Sequence, residues 1–230
     1  MKPAVSRAFA PLAGLVAVLF LIKLWDILVS PNHLYPGRTA SFSWIELGFV
    51  TVSVLIGAGL ARRSPQVRVL PAPDSGPVFA QAIGIGLALG AALAAIDSWL
   101  RIGDANVGLP LAPVFYLWGA ISQEILTHFL PVAVIVGVLD LLGAPERGQR
   151  IAFPVVAVLM ALLAAASMTA AFRNPGIPLA SHVAAAPVIV AAAVFVVELG
   201  LFEMFRRHGF LAALSMRLGF YAVWHLSLIH

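Results

Sequence analysis

The chain contains no cysteine, and charged residues make up only 10% of it. The first absence excludes disulfides, thiolate metal sites and a cysteine nucleophile. The second sets it apart from soluble domains, in which roughly a quarter of residues are charged. Sustained two-residue alternation is missing as well, which argues against a membrane β-barrel. Neither H-E-x-x-H nor G-x-S-x-G occurs, so the common zinc-protease and serine-hydrolase signatures are absent. The glycine-rich run G-I-G-L-A-L-G at 84–90 has no strand before it and no lysine after it. It is therefore not a phosphate loop, and its glycines read as small faces for close helix packing. The formal charge of +4 comes mostly from loop lysines and arginines, and it is no sign of nucleic acid.

What is present is apolar. Hydrophobic residues make up 61% of the 230, in runs of membrane-spanning length. The reading is all-α: one integral membrane domain, 1–230, folded as a polytopic transmembrane helix bundle of about seven spans. The expected spans are 8–29, 42–60, 78–100, 114–142, 151–172, 179–204 and 210–230. Lys2 and Arg7 precede the first run, and Lys23, Trp25 and Asp26 close it where a cleavage site would stand. A retained first span is expected, not a removed signal peptide. The fourth run is too long for one simple span and contains Pro131, so a kink or break is expected near residues 127–130.

Orientation follows from the loops. The N-terminus and the loops after spans two, four and six hold nine basic residues: Lys2, Arg7, Arg62, Arg63, Arg68, Arg147, Arg150, Arg206 and Arg207. The other side holds three: Arg38, Arg101 and Arg173. The bias puts the N-terminus in the cytoplasm. Membrane lipid is the expected surrounding, and a bacterial inner membrane is the expected location.

Gln123, Glu124, His128, His182, Glu198, Arg217 and His225 fall at membrane depth. An ionisable residue there costs about 2.5–3.5 kcal/mol even on lenient insertion scales. Each is thus read as functional or as paired inside the bundle. Glu124 and His128 are four apart, on one face of a helix. With His225 they could bind a divalent metal such as zinc, or position a water for attack on a peptide carbonyl. The bland alternative is a buried clasp, with His225 as an interfacial helix-end histidine. Tyr221 and Trp224 read as an interfacial aromatic belt. Lys23 with Asp26 and Asp97 with Arg101 read as ordinary ion pairs.

The run G-A-I-S-Q-E-I-L-T-H at 119–128 resembles the first motif, E-E-x-x-x-R, of the CPBP intramembrane proteases, which include the type II CAAX prenyl endopeptidases and bacteriocin-processing proteins. F-R-R-H-G-F-L-A-A-L-S-M-R at 205–217 resembles the approach to the family's last motif helix. The likeness covers 115–225. It implies a CPBP-like bundle and cleavage near the membrane of a membrane-bound peptide or prenylated protein.

The motif positions are altered, however. The family's first glutamate falls on Gln123 and its arginine on His128, while Glu124 keeps the second glutamate. The last-motif histidine falls on Arg217, and the Asn or Asp four residues later on Tyr221. The middle-motif histidine has no counterpart near 167–175. An amide cannot act as a general base, and a guanidinium cannot ligate metal. Arg217 and Glu124 could instead form a charge-assisted pair. Three readings follow: an intramembrane endopeptidase, active or degenerate; a non-catalytic scaffold or immunity-type protein on the same fold; or a small transporter using Lys23, Asp26, Glu124 and Glu198.

Overall fold

The computed structural model describes residues 4–29, 43–62, 64, 66–72, 76–100, 112–172 and 183–225. Lys2, Arg38, Arg63, Arg101, Arg173, His33, His182 and His230 lie outside the described residues, and with them the expected Asp97–Arg101 pair. The described chain is helical. Six helices are long and apolar enough to cross a bilayer. In order these are α1 (Ala4–Val29), α2 (Trp44–Ala61), α3 (Val78–Leu100), α4 (Ala112–Leu141), α5 (Glu146–Ala171) and α6 (Ala186–His208). A seventh helix, α7 (Phe210–Trp224), is apolar and shorter. The protein is a polytopic helical membrane bundle. Large apolar side chains such as Leu28, Ile45, Phe49 and Leu159 face outward, as lipid contact requires.

Local chemistry sets the helix ends. Ser43 caps α2, its Oγ accepting from the backbone N–H of Ile45 (3.1 Å) and Glu46 (3.4 Å). Glu46 in that first turn complements the helix dipole. Between α6 and α7 the chain reverses at Gly209, whose φ of 94° favours glycine. A Cβ there would sit 2.9 Å from the Leu70 carbonyl oxygen.

The segment after α2 is more than a linker. Val67 and Val69 are buried while Arg68 between them is exposed. The carbonyls of Arg68 and Val69 accept from the N–H groups of Phe210 (2.9 Å) and Leu211 (3.0 Å). Those donors begin α7 and have no partner within their own helix. Ser64 also donates to Gln149 Oε1 (3.4 Å), and Gln149 Nε2 donates to Asp140 Oδ1 (3.3 Å). The turns after α2, α4 and α6 therefore meet on one face. Arg62, Arg68, Arg147, Arg150, Arg206 and Arg207 share it, as the loop alternation predicts.

The tightest packing joins α3 to α7. A Cβ on Gly86 would come within 2.0 Å of the Met216 carbonyl oxygen, and one on Gly90 within 2.5 Å of that of Phe220. From the other side, a Cβ on Gly219 would meet the Ile83 carbonyl at 2.6 Å. Backbone lies against backbone, as small residues allow in membrane helices. This contact brings α7 into the bundle interior, with Phe210, Ala212, Ala213, Met216 and Arg217 buried along it. Phe129, Phe153, Phe202, Phe205 and Phe210 form one aromatic cluster beside it.

Candidate functional site

The fourth run is a single helix with one widened turn. Residues Glu124–Phe129 are π-helical, and Leu130 N–H bonds back to the Ile125 carbonyl, five residues earlier. Pro131 explains the position. It has no N–H to give, so the regular ladder cannot be kept through this turn. The expected break near 127–130 is thus a π-turn within a continuous α4. Thr127 Oγ1 donates to the Gln123 carbonyl (2.7 Å), adding a side-chain bond to the loosened backbone. The widened turn sets both Glu124 and His128 against α6 and α7.

There they meet two partners. Glu124 and His128 are fully enclosed, Arg217 is 1% exposed and Glu198 4%. Arg217 Nε donates to Glu124 Oε2 at 2.5 Å. Its Nη2 donates to Glu198 Oε2 at 3.0 Å and Oε1 at 3.2 Å. His128 Nε2 lies 2.9 Å from Glu198 Oε2, a charge contact whose direction falls short of a good hydrogen bond. His128 Nδ1 lies 2.9 Å from Thr127 Oγ1 and 3.4 Å from Arg217 Nη2. Glu124 Oε1 has no hydrogen-bond partner. Two carboxylates thus share one guanidinium, with the His128 ring packed beside them.

A cavity of about 400 Å³ lies beside the cluster, between α4, α5, α6 and α7. Gln123, Thr127, Glu198, Arg217, Tyr221 and His225 line its polar part, and Met160, Leu163, Met168 and Val197 are among its apolar lining. Tyr221 Oη donates to Gln123 Oε1 at 2.5 Å. Trp224 Nε1 donates to Asp97 Oδ2 at 2.5 Å, so Asp97 has a partner in α7 in addition to any in its own loop.

Of the sequence candidates, Gln123, Glu124, His128 and Arg217 come together through these contacts. His225 lines the same cavity but is held by other contacts. Its ring stacks on Tyr116 at 4.2 Å between centroids and packs against Tyr221 and Trp224. Eight residues separate it from Arg217, about 12 Å along a helix. Glu124, His128 and His225 are therefore not one ligand set. Among the described residues no group of three or more His, Asp or Glu side chains could hold a metal ion, so the zinc expectation finds no donor set here. The second carboxylate of the cluster, Glu198, was visible in the sequence as a charge inside an apolar run. Its pairing with Arg217 was not, because the contact forms only when the chain reverses between α6 and α7. The Lys23–Asp26 pair forms at 2.8 Å and is buried, with Lys23 5.7 Å from the centre of the Trp44 ring.

No family model, curated protein or solved structure matches the chain. Function must therefore be argued from the geometry itself.

Proposed function

We propose that this chain is a non-catalytic membrane binding protein on a CPBP-like bundle, whose former catalytic positions now serve as a structural clasp. The observation that carries this reading is the Arg217–Glu124 contact at 2.5 Å. A carboxylate that activates water needs a free lone pair facing that water. The Glu124 Oε2 atom is engaged by a permanent cation, and Oε1, which has no hydrogen-bond partner, is fully enclosed and faces no open space. Gln123 has no proton-accepting role to offer, and its amide oxygen is engaged by Tyr221. The resemblance gains support from one juxtaposition. The first-motif positions Gln123, Glu124 and His128 lie against the last-motif positions Arg217 and Tyr221. In this reading the arginine-rich face is cytoplasmic and the membrane is a bacterial plasma membrane.

The test is cleavage of a prenylated CAAX peptide by the purified protein in lipid nanodiscs. No turnover is expected, and Glu124→Gln should be indistinguishable from the parent. Turnover that disappears in Glu124→Gln would overturn the reading.

A further inference from the structure

We propose that the cavity between α4, α5, α6 and α7 takes the uncharged, hydrogen-bond-accepting head of a single-chain lipid, which enters sideways from the bilayer. The inference deepens the binding-protein reading and rests on it. Charge comes first. Among the described residues, Glu198 and Arg217 are the only carboxylate and the only fixed cation lining the space. They cancel, because Arg217 Nη2 donates to both Glu198 oxygens, at 3.0 and 3.2 Å. A charged head of either sign would lose its water here and find no counter-charge that is not already used. Hydrogen bonding comes next. The lining hydroxyls and the lining indole have already given their protons. Thr127 donates to the Gln123 carbonyl (2.7 Å), Ser167 to the Leu163 carbonyl (2.9 Å), Tyr221 to Gln123 Oε1 (2.5 Å) and Trp224 to Asp97 (2.5 Å). The Gln123 amide differs from these. Its oxygen is taken by Tyr221, while its Nε2 carries two protons and has no acceptor among the described residues. The head that fits is one that accepts through a carbonyl or hydroxyl oxygen.

Route and size follow from α5. Leu163 and Ser167 line the cavity and also stand on the lipid-facing side of that helix, Leu163 being 58% exposed. The space therefore meets hydrocarbon, and a ligand dissolved in the bilayer reaches it without crossing water. Met160 and Met168 give a tail adaptable apolar contact. A space of about 400 Å³ is within the range of small-ligand pockets. At roughly 30 Å³ for each water-sized group it holds about 13 heavy atoms. That admits a compact head with about ten carbons and is too small to enclose a two-chain phospholipid. Decanamide has the matching size and offers a carbonyl oxygen to Gln123.

The test uses the full chain in neutral phosphatidylcholine nanodiscs, with empty discs subtracted. Binding of tritiated decanamide is measured, then its displacement by decane, decylammonium and decyl sulfate at equal mole fractions in the disc. Saturable binding of decanamide is expected, at least tenfold tighter than that of any of the three competitors. Ala164→Phe adds a ring to the α5 wall of the cavity and should weaken decanamide binding at least tenfold. Gln123→Leu should leave decanamide no better bound than decane. Absence of saturable binding, equal displacement by decane or by either charged competitor, full affinity in Ala164→Phe, or a preference for decanamide kept in Gln123→Leu would each overturn the proposal. Should Gln123→Leu fail to fold, the competitor series and Ala164→Phe still decide. Failure here with no peptide cleavage removes the ligand class and leaves the non-catalytic reading standing. Peptide cleavage that depends on Glu124, together with selective decanamide binding, would remove that reading and keep the ligand class.

Discussion

Removing Arg217 should cost far more than removing either of its acidic partners. In the parent protein one guanidinium satisfies Glu124 at 2.5 Å and Glu198 at 3.0 Å. Arg217→Met keeps much of the volume and leaves two enclosed carboxylates with only His128 as counter-charge. Breaking a buried ion pair from one side typically costs about 3–5 kcal/mol, because a charge is left uncompensated. Glu124→Gln is different in kind. Arg217 keeps Glu198, and an amide oxygen can still accept from Nε. The loss is that of a charged hydrogen bond weakened to a neutral one, about 1.5–3 kcal/mol at most. Against a total stability of roughly 5–15 kcal/mol, the first change threatens folding and the second does not. Equilibrium unfolding in mixed micelles of rising SDS content, followed by far-ultraviolet circular dichroism, measures both. Replacing Arg217, Glu124 and Glu198 together by methionine should recover most of the loss, since no charge is then stranded. If Arg217→Met costs no more than Glu124→Gln, the balance of charge described here is wrong.

Other outcomes follow from packing and sidedness. Gly86→Ala should destabilise by about 1–3 kcal/mol or more, because its Cβ would strike the Met216 carbonyl at 2.0 Å. Gly84→Ala, with nothing within 4 Å, should stay within about 0.5 kcal/mol or gain slightly from helix propensity. The same micelle titration separates the two. Gly209→Ala should lose about 1–3 kcal/mol, since both its φ of 94° and the nearby Leu70 carbonyl disfavour a side chain. Because the chain has no native cysteine, single substitutions report sidedness cleanly. Glu146→Cys should be shielded from a membrane-impermeant maleimide in intact cells, and Ser98→Cys should be labelled; the reverse pattern would invert the orientation.

Much of the bundle was legible from residue order alone. α3 begins at Val78 and ends at Leu100, as its hydropathy predicts, and α2 and α4 start and stop within two residues of expectation. Apolar runs bounded by proline, glycine and arginine leave little choice inside a bilayer. The pairing of Glu124 with Arg217 was also within reach, because a buried acid and a buried base in one membrane domain seek each other. Three things were not. The segment at 66–72 has no periodicity long enough to register, yet its backbone carbonyls complete α7. The π-turn depends on how one proline's missing donor is accommodated, which several backbone paths could satisfy. His225 looked like a partner for Glu124 because it lies two turns beyond Arg217, but its ring stacks on Tyr116, eight residues before Glu124 in α4, a contact reached only through tertiary packing.

The manner in which α7 is held bears on how the protein is made. Among the described residues its 15 positions span about 22 Å as a helix, against a hydrocarbon core of roughly 30 Å. It carries an arginine, and its first two backbone donors rest on carbonyls from Arg68 and Val69. Such a segment is a poor candidate for independent release from a translocon into lipid. Glu124, Glu198 and the 66–72 segment have all been synthesised before Arg217 emerges, so α7 can dock onto an already assembled receptor. Changes that remove any of those receptors should then leave α7 undocked and open to quality-control proteolysis.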